Sequence, residues 1–223
     1  MMGRFTGRLL PSLPLALWAA VMLRSAADGR LDLLLREAFH PLVWGAGLLL
    51  LALALLRLVG GPERPERGTA WRDLLTAAMA ALLLLLPPNP SFADLASQRP
   101  SDETAEAELS FVLPPAQRSL TDWVRLLRSQ PDPALFAGDP ARISGFVLPV
   151  PGEAPQLARL LVRCCLADAT PVGLPVRWPA DQPLPEADQW LAIEGTMAAD
   201  SGRLVVVPQR IRPIPRPARP LEP

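Results

Sequence analysis

Cys164 and Cys165 stand side by side, and Asp168 follows in the run Leu161-Val162-Arg163-Cys164-Cys165-Leu166-Ala167-Asp168. Thiolates with a nearby carboxylate suit a borderline-soft cation such as Zn²⁺, which also accepts imidazole. The single histidine, His40, would complete a set of His40, Cys164, Cys165 and Asp168 if it lay on the same side of a membrane as the cysteines. Plainer readings compete at each position. A free cysteine is among the most buried residue types and commonly only packs. His40-Pro41 suits the start of a helix, where proline is favoured. A disulfide between the neighbours is disfavoured, because adjacent Cα atoms lie ~3.8 Å apart, below the usual ~4.4 Å minimum for a bridge.

The local pattern assigns the two thiols opposite faces. Ala158, Leu160, Val162, Cys164 and Leu166 are all apolar, so a period of two makes Cys164 a core residue. Cys165 then faces out beside Arg163 and Arg159, whose charge favours thiolate. No phosphate loop, glycine-rich nucleotide fingerprint, nucleophile elbow or HExxH helix is present, and enzyme chemistry is not expected. The formal net charge is zero, with 22 basic residues, all arginine, against 22 acids; nucleic acid is not an expected partner.

The elements that must position these residues fall into two parts. Apolar residues crowd the first 88 positions, as nearly uniform Leu/Ala runs without a polar face. Spans of a lipid bilayer are expected at about residues 8–24, 39–59 and 71–88, each near the ~17–25 residues a crossing needs. A cleaved signal peptide is the alternative for the first run, since Arg4 and Arg8 precede it and Ser25-Ala26-Ala27 follow. Arg4, Arg8, Arg57, Arg64, Arg67 and Arg72 outnumber Arg24, Arg30, Arg36 and Arg99 on the opposite flanks. That bias expects a multi-pass protein of the cell membrane with a cytoplasmic amino terminus and an extracytoplasmic carboxyl-terminal domain.

Residues 89–118, with five acids against two arginines, read as a linker. Leu120, Trp123, Val124 and Leu127 recur at helical spacing, with Ser119 or Thr121 as cap and Pro131 and Pro133 as stop. Strands are expected at 141–150, 157–166, 172–178, 190–196 and 204–212, separated by Pro/Gly/Asp-rich turns. The fold class is therefore N-terminal transmembrane helices plus a small all-β domain over 119–212. That domain is expected to be five-stranded and OB-like, with one short helix. Residues 213–223 read as an extended, proline-rich tail.

Phe39-His40-Pro41 before a Leu-rich span, Pro87-Pro88 closing another, and Leu161 to Ala169 followed by Pro171-Val172 together resemble the YcgQ-like family of bacterial membrane proteins. Gly145-Phe146-Val147 and the Trp190 to Gly195 strand fit the same pattern. The resemblance implies a partner, a multi-span permease, and a role in metal homeostasis with zinc as the implied cation. On that footing the expected function is a non-enzymatic, membrane-anchored accessory subunit of a permease. A structural interaction module whose cysteines only pack, and a thiol-redox membrane protein, are the alternatives.

Overall fold

A computed structural model describes residues 2–59, 69–99 and 113–222. The chain divides into two compact units, Met1–Asn89 and Pro90–Pro223.

The first unit is helical: α1 (Met2–Ala27), a single turn α2 (Leu31–Leu34), α3 (His40–Val59) and α4 (Thr69–Leu85). Helices stand at all three expected spans. Among the described residues, however, only Glu37–Val59 is both long and apolar enough by itself to cross a membrane. The apolar part of α1 is the shorter stretch Ser12–Ala27, and α4 has 17 residues with Arg72 and Asp73 in its opening turns. Pro41 lies in the first turn of α3, where its missing N–H costs nothing.

Packing in this unit puts small residues inside and large apolar ones outside. Ala19, Gly47, Ala54, Ala77 and Ala80 are buried, whereas Leu42, Leu48, Leu49, Leu55 and Leu56 of α3 are exposed. A Cβ on Gly47 would lie 2.9 Å from the Leu23 side chain, so glycine is what lets α1 and α3 approach there. A water-soluble bundle arranges its leucines the opposite way.

The second unit contains α5 (Phe92–Ser97), α6 (Leu120–Ser129) and six strands: β1 (Pro140–Leu148), β2 (Gln156–Leu161), β3 (Thr170–Pro175), β4 (Trp190–Asp200), β5 (Arg203–Pro213) and β6 (Leu221–Glu222). Strand order is β3-β2-β1-β4-β5, with all four neighbouring pairs antiparallel. The two ends of this path meet in a parallel bridge between Val176 and Val206, where Arg177 N–H donates to the Val206 carbonyl at 2.9 Å. The sheet thus curls back on itself. A bulge at Glu194/Gly195 helps it bend, and a Cβ on Gly195 would run into the Val207 carbonyl.

Alternate residues feed two cores. Ile143, Val147, Leu157, Leu191, Ile193 and Val206 join Trp123 of α6 in one cluster. Phe146, Ala158, Leu160 and Trp190 point the other way and join Phe92 of α5. Ser119 caps α6 in a reciprocal capping box with Asp122.

Three sequence expectations are corrected here. The segment 89–118 holds α5, which docks on the β unit, so 90–99 is not free linker. Phe92 packs edge-on against Phe146 and Trp190 at centroid distances of 5.8 and 6.1 Å, and Ala93 N–H donates to Asp188. Residues 100–112 of that segment lie outside the described residues. The proline-rich tail is extended at its end but does not remain polyproline-like there: Leu221 and Glu222 join the sheet as a strand, pairing in parallel with Leu160 and Leu161. The strand expected over 157–166 stops at Leu161, where its ladder with β3 ends at the Leu161/Thr170 pair. Residues 162–169 are therefore the β2–β3 connection, and the cysteines lie in it.

Candidate functional site

The connection turns because one carboxylate gathers three consecutive amides. Asp168 Oδ1 accepts from Arg163 N–H at 2.9 Å; Oδ2 accepts from Cys164 N–H at 2.8 Å and from Cys165 N–H at 3.3 Å. Asp168 closes a single 3₁₀ turn, Leu166–Asp168, whose Asp168 N–H returns to the Cys165 carbonyl at 3.0 Å. Side chain-to-backbone bonds of this kind compete directly with a strand ladder. Period-two alternation consequently stops before the cysteines.

Both cysteines are free and half-buried, so the expected division into a core Cys164 and a surface Cys165 does not occur. Their side chains converge instead. Cys164 Sγ lies 3.4 Å from Cys165 Sγ, and ligand atoms of Cys164, Cys165 and Asp168 all lie within 4.8 Å of one another. Arg159, expected beside Cys165, is turned elsewhere: its guanidinium bonds to Ser144 O and Oγ, pairs with Glu222 at 3.3 Å and lies over the Trp190 ring. Arg163 stays exposed. His40 belongs to the helical unit, where its Nε2 lies 3.3 Å from the Leu35 carbonyl, to which the Nε2–H tautomer donates. The structure therefore brings together Cys164, Cys165 and Asp168 of the four expected ligands.

At Cys164 the neighbouring carboxylate sets the electrostatics. The hydrogen bond to Asp168, followed by the one to Cys165 and by desolvation, pushes the Cys164 thiol up to about 12. Desolvation pulls the Asp168 carboxyl upward, but the Cys164 thiol and the three amides outweigh it and hold it below its ordinary value. The linkage signs follow. The Asp168 contribution is present above the ordinary carboxyl range of ~4 and is lost as pH falls through the lower folded value. The Cys164 contribution is present below the ordinary thiol value of ~8.5 and is lost as pH rises through about 12.

Sequence reasoning missed Arg99. Its Nη1 donates to the Leu166 carbonyl at 2.9 Å and to the Ala169 carbonyl at 2.6 Å, bracketing the turn from the chain just after α5. Nothing local signals a contact between positions so far apart.

At pH 8, iodoacetamide will modify Cys164 of the folded chain more than about tenfold more slowly than Cys164 of urea-unfolded chain, because only thiolate attacks. The Cys164 rate will climb as pH approaches 12 and will climb at lower pH in Asp168→Asn. Peptide mass spectrometry across a pH series checks this; equal rates at pH 8 would mean that the Asp168 bond does not control the thiol.

A helical unit with one membrane-length helix, joined to a curled antiparallel β unit with a carboxylate-knotted cysteine pair, is the class of protein that fold and site define. Residues 116–210, from just before α6 into β5 and including the cysteine turn, match the family model of the DUF1980 C-terminal domain, an uncharacterised family. No curated protein and no solved structure matches the chain.

Proposed function

We propose that this protein is a membrane-anchored accessory subunit of a multi-span permease, which captures a thiophilic cation of zinc type at Cys164 and Cys165 and passes it on. The carrying observation is the convergence of two thiols and a carboxylate within 4.8 Å. A carboxylate has about four lone-pair sites, and three backbone amides plus the Cys164 thiol engage those of Asp168. When a cation displaces the Cys164 proton, the Asp168 site facing that thiol is released to the metal. Two sulfurs and at most one oxygen leave a tetrahedral ion open to a further ligand from outside, which suits transfer better than storage.

The resemblance to YcgQ-like proteins supports the permease partner, and the DUF1980 C-terminal match is compatible with it. The outward leucines of α3 and the exposed Trp71, Leu74, Leu75 and Leu82 of α4 support hydrocarbon rather than water around these two helices. A multi-pass anchor with the β unit outside the cytoplasm remains our reading. The strand order and the Val176/Val206 closure support an OB-type barrel. The second reading is an interaction module whose cysteines only shape the turn; it is favoured by the engagement of Asp168 with its own backbone.

Co²⁺ titration of the purified full chain separates the two. Cation capture gives sulfur-to-cobalt charge-transfer bands at one equivalent, lost in Cys164→Ser and in Cys165→Ser; a spectrum unchanged by cobalt would favour the interaction module. For the anchor, a periplasm-active reporter fused at Pro223 is expected to be active, and one inserted near Gly61 inactive. The opposite pattern would overturn the orientation, which rests on the arginine bias.

A further inference from the structure

The two sulfurs lie closer together than a tetrahedral ion would set them. Thiolates at ~2.3 Å on such an ion stand ~3.8 Å apart. At 3.4 Å the same bond length closes the angle at the shared atom to ~95°. Near-right angles belong to three-coordinate, pyramidal centres that carry a lone pair. The turn also supplies two sulfurs and only one carboxylate, which is held by Arg163, Cys164 and Cys165 amides. A centre that needs two sulfurs and keeps one oxygen of its own matches this donor set without help from another chain.

We propose that Cys164 and Cys165 form a dithiol site for trivalent arsenic or antimony presented as the neutral hydroxide. This rests on the reading of the pair as a thiophilic capture site, and names the ligand class that the 3.4 Å spacing fits more closely than a tetrahedral cation. The reaction is a ligand exchange. Two arsenic–oxygen bonds of As(OH)₃ break and two arsenic–sulfur bonds form. Each thiol proton leaves on a hydroxide as water, giving (RS)₂AsOH and two waters. Arsenic stays trivalent, so no oxidant or reductant takes part. The Arg99 bonds to the Leu166 and Ala169 carbonyls, together with the Asp168 knot, hold the loop carrying the pair. That preorganisation is what distinguishes the site from any Cys-Cys dipeptide.

The test uses the full chain in detergent with sodium arsenite as probe, reading intact mass and protection from iodoacetamide. One arsenic per chain with both thiols protected is expected. Cys164→Ser and Cys165→Ser should each weaken protection by about 100-fold, because the second sulfur attacks intramolecularly. Urea-unfolded chain should bind about tenfold more weakly or worse, because its thiols must first be brought together. Equal binding by folded and unfolded chain, or binding that survives loss of one cysteine, would overturn the proposal. Cobalt bands without arsenite protection would overturn it while leaving cation capture standing. Absence of both would overturn the two together.

Discussion

Phe92→Ala will cost the β unit about 3–5 kcal/mol, the range for truncating a fully buried aromatic, and will leave its melting transition broad or absent. Phe92 is 2% exposed and sits edge-on between Phe146 and Trp190, so the loss includes two aromatic contacts as well as a cavity. A small domain has only about 5–15 kcal/mol in total, so most of its stability is at stake. Urea denaturation of a Pro90–Pro223 fragment measures the effect. The same logic condemns a fragment cut at residues 119 and 212, the domain boundaries read from sequence. Without α5 and β6, Phe146, Ala158, Leu160 and Trp190 lose their cover, and aggregation on expression is expected. A loss below 1 kcal/mol for Phe92→Ala would instead make α5 a dispensable attachment.

Arg159→Met is expected to be nearly as damaging, at about 3–5 kcal/mol, because it strips the partner from a mostly buried carboxylate. The side chains of Arg159 and Glu222 are 11% and 22% exposed, with N and O 3.3 Å apart. Glu222 also accepts from the Thr121 hydroxyl on α6, and its carbonyl accepts from Val162 N–H at 2.8 Å. The tail is thereby pinned to β2 and α6 at once. The double variant Arg159→Met/Glu222→Leu should recover about half of the loss, since replacing both charges removes the stranded ion. It leaves Ser144 without its guanidinium donor, which costs about 1–3 kcal/mol. Chemical denaturation of the single and double variants closes the cycle. A double variant as unstable as Arg159→Met alone would show that the Ser144 bonds and the Trp190 stacking dominate, and the ion pair does not.

Pinning the tail and docking α5 both bear on the cysteine turn. Val162, the last residue before the turn, takes its backbone partner from Glu222, and Arg99 holds the carbonyls that follow it. Two segments that looked like spacers therefore frame the site from either side. The DUF1980 C-terminal match over 116–210 includes neither of them, although it includes the turn itself.

Local physics determined a good deal from sequence alone. Charge-free Leu/Ala runs placed α1, α3 and α4, since a helix is the structure that satisfies every backbone group within one apolar segment. Alternation placed β1, β3, β4 and β5 to within a few residues, and the start of β2, while the cap of α6 was narrowed to Ser119 or Thr121 and the structure takes Ser119. That Cys164, Cys165 and Asp168 share one short stretch was also legible, but alternation set the two thiols on opposite faces and only the turn makes them converge. What the sequence left open was decided by partners distant in the chain. Alternation through Cys164 was a valid strand pattern, but a strand lasts only while a neighbour pairs with it, and the ladder with β3 ends at Leu161 and Thr170. Beyond that point the Asp168 carboxylate offers three amides a better bond than solvent, and the chain turns. Phe92 and Leu221 carried no signal in their polar, proline-rich surroundings. Each became ordered only because the outward faces of β1, β2 and β4 are apolar and cannot be left in water.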